Sequence, residues 1–150
     1  MTIWTDKRKD LALVEAERWR GVPHQPHMAE FPAGIDCIRY VNEIMVMAGV
    51  YERRPLPDYK ADAGIETPDL IETEMLKHFH VITLDLSHEV EFGDIAVFPP
   101  SVKRTVHCGF LDGVNCYHAV GGHVVTKSRW QHWRHKAKLL IRFQQTGWKT

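Results

Sequence analysis

No run in this sequence is both long and apolar enough to cross a bilayer as a helix, which takes about 20 mostly apolar residues. The opening stretch MTIWTDKRKDLALVEAERW has charges where a secretory signal needs its apolar run, so the expectation is a mature protein, cytoplasmic as synthesised. An excess of charge is also missing. Nineteen basic residues stand against 19 acidic ones and the pI is near 7.2, which leaves no electrostatic reason to expect nucleic acid or another polyanion as ligand. Cysteine is scarce: Cys37, Cys108 and Cys116 cannot all pair within one chain, and no CxxC spacing occurs, so reduced thiols are expected. There is no repeat, low-complexity tract or linker. A chain of 150 residues then reads as one domain, 1–150, large enough to bury a core without staples.

What is present in quantity is histidine, ten residues of it, which brings both metal binding and acid–base chemistry into consideration. The hydrophobic and charged fractions, 44% and 25%, are those of an ordinary globular protein.

The pattern changes period half-way along. Residues 6–20 read as an amphipathic helix with Leu11, Val14 and Arg18 on one face and Ala12, Glu15 and Trp19 beside them, ended by Gly21 and Pro23. GVPHQPHMAEFPAG is loop. A second helix spans about 37–48, with Asp36 as N-cap, Gly49 after its end, and Ile38, Val41, Met45 and Ala48 at core-facing spacing. After a polar segment over 51–67, TPDLIETEMLKHF gives a third, with Thr67 as cap and Pro68 in the first turn. From residue 79 onward HVITLDL, DIAVFP, TVHCGFL, VNCYHAV, HVVTKS and KLLIRFQ are short strands divided by turns such as Asp112-Gly113 and Gly121-Gly122. Helices followed by strands predict an α+β fold, with N-terminal helices packed on an antiparallel sheet of five or six strands.

If Asp112-Gly113 is a two-residue hairpin turn, Leu111 faces Val114, Gly109 faces Cys116, and His107 stands directly across from His118 on one face of the sheet. Val106, Cys108, Phe110 and Tyr117 fall on the other face, so Cys108 reads as core pointing away from the histidines. Paired imidazoles suit nucleophilic chemistry, the first acting as base and the second fixing its orientation. Cys37 can supply the nucleophile, because a helix N-terminus favours the thiolate. Gly34 just before it leaves room for a substrate to approach. Gly109 gives an open spot beside the rings, and Cys116 reads as a wall of the site.

These residues resemble the NlpC-type papain-like cysteine peptidases. The resemblance rests on Cys37 in GIDCIRYVNEIMVMAG, FGDIAVF at 92–98, HCGFLDG at 107–113 and YHAV at 117–120, with RWRGVPH upstream standing for that family's GxPY loop; it covers about residues 16–126. It implies a papain-like fold, with Cys37 as nucleophile, His107 as general base and His118 as the orienting residue. It further implies an acyl-enzyme mechanism without cofactor, and amide cleavage in the stem peptides of peptidoglycan. Members without a secretion signal occur among phage tail and lysis proteins, so a phage-tail or cell-wall partner, and release by lysis or in a particle, belong to the expectation. The sequence departs from the family where DCSG becomes DCIR and where a tyrosine after proline becomes His24. Asp36, His24 and Arg39 are candidate substrate contacts.

Other readings compete. The same chemistry on another acyl group gives an amidase, deamidase or transacylase, and loss of the chemistry gives a phage-tail or cell-wall binding module. Zinc has ligand types available in Cys37, Cys116, His107 and His118, and His24 with His27 forms a second cluster. No CxxC or HExxH supports it, and no metal is assigned. His78, His80, His132 and His135 read as surface. RWQHWRHK mixes aromatic and basic residues in a way that suits a glycan, a lipid surface or a partner; a solvated face anchored by Trp130 or Trp133 is the plainer reading.

Overall fold

The computed structural model describes residues 2–56, 67–100 and 106–150, in which the early helices are followed by one large sheet. Helix α1 (Asp6–Arg18) starts at Thr5, whose side chain accepts the Arg8 N–H. Its buried stripe is Ala12, Glu15 and Ala16, continued by Trp19, while Leu11 and Val14 face solvent, the reverse of the expectation for those two. Close approach to α2 (Cys37–Met47) explains the inversion: the Tyr40 hydroxyl donates to the Ala16 carbonyl at 2.6 Å, which leaves space only for small residues. Glu15 is tolerated there because Trp19 Nε1 and Arg18 Nε donate to its carboxylate at 2.8 and 3.0 Å.

Two short strands, β1 (Ala29–Glu30) and β2 (Gly34–Ile35), pair just before α2. Asp36 caps α2 as expected, its Oδ1 accepting Arg39 N–H at 2.8 Å, and Gly49 at φ +77° follows the helix end. Helix α3 (Leu70–His78) starts later than expected. Thr67 contributes its carbonyl to Leu70 N–H at 3.1 Å, and Asp69 precedes the helix. Of the expected polar segment, residues 57–66 lie outside the described residues, as does Thr105 of the expected TVHCGFL strand.

Six strands follow: β3 (Phe79–Leu84), β4 (Ile95–Phe98), β5 (His107–Leu111), β6 (Asn115–Ala119), β7 (Val125–Arg129) and β8 (Leu139–Trp148). They form one antiparallel sheet in the order β3-β8-β4-β5-β6-β7, β8 returning to lie between β3 and β4. A single turn of helix, α4 (Trp130–Trp133), leads into a 3₁₀ turn over Arg134–Lys136. One sheet face carries Val97, Phe110, Tyr117 and Ile141 and packs on α1 and α2; the other carries a smaller cluster of Ala96, Phe98, Leu111, Cys116 and Leu140 beneath Trp130.

The β5–β6 hairpin turns one residue later than the sequence suggests. Leu111 pairs with Cys116 and Phe110 with Tyr117. Asp112 stays outside the turn because its Oδ1 accepts the N–H groups of Val114 and Asn115 at 2.9 and 2.6 Å, and its own N–H donates to the Asn115 carbonyl at 3.1 Å. Gly113, at φ +103°, takes the first central position, where positive φ suits glycine. The pairing shifts by two residues, an even number, so every side chain keeps its expected face. Gly109, not His107, therefore stands opposite His118, and the two histidines are diagonal neighbours.

Candidate active site

Cys37 is the first residue of α2, so its position follows from the Asp36 cap. Asp36 is buried with both oxygens engaged: His27 N–H and an Arg39 guanidinium N–H reach Oδ2, each at 2.8 Å, and Arg39 N–H reaches Oδ1. Asp36 and Arg39 thus brace one another in building the helix start. His24 sits in the preceding loop, its N–H bonded to the His123 carbonyl at 2.9 Å and its backbone bridged to Ile35. Gly34 does not open a path for substrate. A Cβ there would lie 2.3 Å from Gln25 Cγ, so its missing side chain is what lets the loop fold over β2.

The Cys37 sulfur meets the beginning of β5. As a thiol it donates to the Val106 carbonyl at 3.6 Å. Two neighbours favour the thiolate instead. The Cys108 thiol hydrogen-bonds the Cys37 sulfur and, opposed by burial, is the largest influence, while His107 adds both a hydrogen bond and its charge. The result holds Cys37 well below the usual thiol range and pushes Cys108 well above it. Cys108 Sγ also lies 3.6 Å from the Cys37 carbonyl. Facing the helices is what brings Cys108 to Cys37, which approaches from that side of the sheet. The expectation that it points away from the site is corrected.

His107 Nε2 lies 2.9 Å from His118 Nδ1. Gly109 makes this contact possible: a Cβ at that position would fall 2.5 Å from Cys116 Sγ and 3.2 Å from His118 Cβ. With Nε2 turned to His118, Nδ1 is the nitrogen of His107 left to face the thiol. His118 is fully buried, and burial first, then the charges of His107 and Lys136, push its pKa down to about 3. It is a neutral hydrogen-bond partner across the working range. Cys116, buried beside it, is held above the usual thiol range by burial and by Asp112.

Two further residues touch this array, and sequence reasoning missed their roles. Ser128 Oγ lies 3.0 Å from His118 Nε2. Trp133 sets its ring edge-on to His118, centroids 4.5 Å apart at 88°, and also packs against Phe98. The anchor expected from RWQHWRHK is thus double, Trp130 in the smaller core and Trp133 on the histidine, with His132 and His135 exposed. Behind Cys37 an apolar pocket opens between α2, α3 and the sheet, lined by Ile38, Val41, Leu70, Met75, Phe79 and Cys108 among others. Among the described residues no group of three or more His, Cys, Asp or Glu is placed to hold a metal ion.

A thiol at a helix N-terminus, a ring beside it from β5 and a second ring 2.9 Å from the first are held by helices packed against an antiparallel sheet. Solved structures share this packing of helices on the sheet. The fold is that of an NlpC/p60 domain. The NlpC/p60 domain of the peptidoglycan hydrolase SagA superposes with a TM-score of 0.58 at 16% identity, covering 90% of this chain and 98% of that domain. A Staphylococcus aureus protein of the NLP/p60 family, described as similar to lipoprotein, gives 0.61 at 19% identity over 94% of this chain; the match spans 43% of that longer protein. No family model and no curated protein matches the sequence.

Proposed function

We propose that this NlpC/p60 fold carries a cysteine hydrolase that cleaves an amide bond in peptidoglycan stem peptides. The observation that carries the reading is the convergence of Cys37, His107 and His118, separated in sequence by 70 and 11 residues: His107 favours the Cys37 thiolate and lies 2.9 Å from His118. The Cys37 thiolate attacks the amide carbonyl, and the developing oxyanion is met by the Cys37 backbone N–H, which lies in the first helical turn beyond reach of the internal ladder. His107, protonated in the ion pair, gives its proton to the leaving amine as the thioester forms. Water, deprotonated by His107, then hydrolyses the thioester and restores the thiolate–imidazolium pair. Neutral His118 accepts a hydrogen bond from His107 Nε2–H throughout and keeps the ring aimed at sulfur.

The substrate class is supported by the SagA domain, itself described as part of a peptidoglycan hydrolase. The test is digestion of purified sacculi with products identified by mass. Soluble muropeptides released by wild type and absent with Cys37→Ser support the proposal. No release, together with cleavage of a different amide, rejects the substrate and keeps the chemistry. One observation favours that second reading: Ile38, next to Cys37 in sequence, lines the apolar pocket, whose surface suits an apolar acyl group.

A further inference from the structure

The second histidine has a partner of its own on the next strand. Cys116 pairs with Ser128 and His118 with Thr126, which puts Ser128 on the histidine face, diagonal to His118. His107, His118 and Ser128 form one line across β5, β6 and β7, at 2.9 and 3.0 Å. His118 is fully buried, and Trp133 and Phe98 pack on it with ring centroids 4.5 and 6.3 Å away. Its two nitrogens, Nδ1 and Nε2, meet His107 and Ser128 respectively.

We propose that Ser128 is a positioning residue that fixes the tautomer of His118 and thereby sustains the charged form of His107 beside the Cys37 thiolate. The inference rests on the cysteine-hydrolase reading. The chemistry follows from donor and acceptor counts. For His107 to be an imidazolium, both its nitrogens carry hydrogen, and Nε2–H needs an acceptor; only the His118 tautomer protonated at Nε2 offers Nδ1 as that acceptor. This tautomer in turn places an N–H against Ser128, whose hydroxyl oxygen accepts it. Without the hydroxyl, that N–H on a fully buried ring loses its protein acceptor, which disfavours this tautomer. The alternative tautomer would direct a hydrogen at His107 Nε2, where the charged ring presents its own hydrogen. Loss of the hydroxyl therefore disfavours the ion pair. The titratable groups around the line are Cys37 and Asp36 at the start of α2, Cys108 and Cys116 from β5 and β6, and Lys136 from the turn after α4. Substitution of Ser128 leaves each of them in place.

The test is the pH dependence of Cys37 alkylation by iodoacetamide, followed on the Cys37 peptide by mass and checked by ultraviolet thiolate absorbance. It compares the full chain as wild type, Ser128→Ala, Ser128→Thr and Ser128→Val. Thr and Val have nearly the same size and differ in the hydroxyl, so that pair is informative even where Ala perturbs folding. The expected result is a midpoint raised by about one pH unit in Val and Ala, equivalent to ~10-fold less thiolate on the acid side, with Thr close to wild type. Thr and Val sharing one midpoint, with only thermal stability altered, would reduce Ser128 to packing and overturn this inference alone. An ordinary thiol midpoint in wild type overturns the hydrolase reading and this inference with it.

Discussion

The two faces of the sheet come from the same alternating strands, yet one holds the main apolar core and the other sets a line of polar side chains beside a smaller apolar cluster. On the helix side β5 and β6 present Cys108, Phe110, Tyr117 and Ala119, all buried among α1 and α2. On the opposite side the same strands present His107, Gly109, Cys116 and His118, continued on β7 by Ser128. Gly109, Cys116 and His118 are as buried as the helix face, with His107 and Ser128 half-buried, so exposure alone does not separate the faces. Hydrogen bonding does: the helix face is packed by volume, and the histidine face is held by directed bonds across strands. The proposed chemistry lies where the two meet, at the start of β5, because Cys37 arrives from the helix face while His107 belongs to the other. A nucleophile and its base on opposite faces approach each other only at the end of a strand, where the ladder no longer separates them.

The largest effect expected from breaking this meeting point is on catalysis. Cys37→Ala and His107→Ala should each lower amide hydrolysis by on the order of 10⁴-fold or more, and the double variant should be scarcely worse than either, because the two act as a unit. Rates on solubilised muropeptides check this. Additive losses would mean that the residues work independently.

Gly109→Ala should come next, and it strikes the histidine face alone. The new methyl would lie 2.5 Å from Cys116 Sγ and 3.2 Å from His118 Cβ in a region without slack. Overpacking of this kind costs about 1–3 kcal/mol, read as a lowered denaturant midpoint, and His118 must move off His107. Activity should fall well beyond the fraction unfolded. Gly109→Ala combined with Cys116→Ala, which removes the nearer clash, should recover most of the stability.

Histidine-face burial also sets a pH signature. His118 is held near pKa 3 in the folded chain against about 6.5 unfolded. Between those values the unfolded chain binds the extra proton, so stability falls as pH drops below about 6.5, at up to about 1.4 kcal/mol per pH unit, and levels off near pH 3. Urea unfolding from pH 7 to pH 4 measures it, and His118→Asn should flatten the slope. An equally steep slope in the variant would place the proton uptake elsewhere.

How much of this was legible in the sequence divides along the same two faces. Period and turn residues located α2 and all six strands, because each has a clear apolar rhythm bounded by glycine, proline or aspartate. The histidine face was found through parity, which survived even though the register did not. Asp112 resembles a turn residue in sequence and acts as the turn's side-chain clamp in space. The helix face misled in two places. On α1 the burial of alanines and Glu15 is decided by Tyr40 and Trp19, partners outside the helix. For Cys108, parity was right and the conclusion wrong, since which face the nucleophile approaches depends on how α2 lies on the sheet. Ser128 had no usable signal: a two-residue Gly121-Gly122 turn would set it opposite Asn115, on the face away from His118, whereas the observed register pairs it with Cys116. Trp133 had none, because a single helical turn after a strand sets its direction.

The smallest expected effect concerns Cys108, and it sharpens the comparison most, since it is the one helix-face side chain that touches the reacting sulfur. Val is close in size and has no S–H, so Cys108→Val should change stability by less than about 1.5 kcal/mol. Its effect should appear instead in the ionisation of Cys37, which loses the Cys108 thiol that favours its thiolate and keeps the influence of His107. Cys37 is 5% exposed and Cys108 3%, so access alone gives iodoacetamide no preference between them. Faster labelling of Cys37 in wild type therefore reports its charge. The midpoint for labelling should rise in Cys108→Val, and Cys108→Ser, whose hydroxyl donates, should return part of the shift. An unchanged midpoint in Val would mean that His107 alone holds the thiolate, making the helix face mere support for chemistry that belongs wholly to the other side.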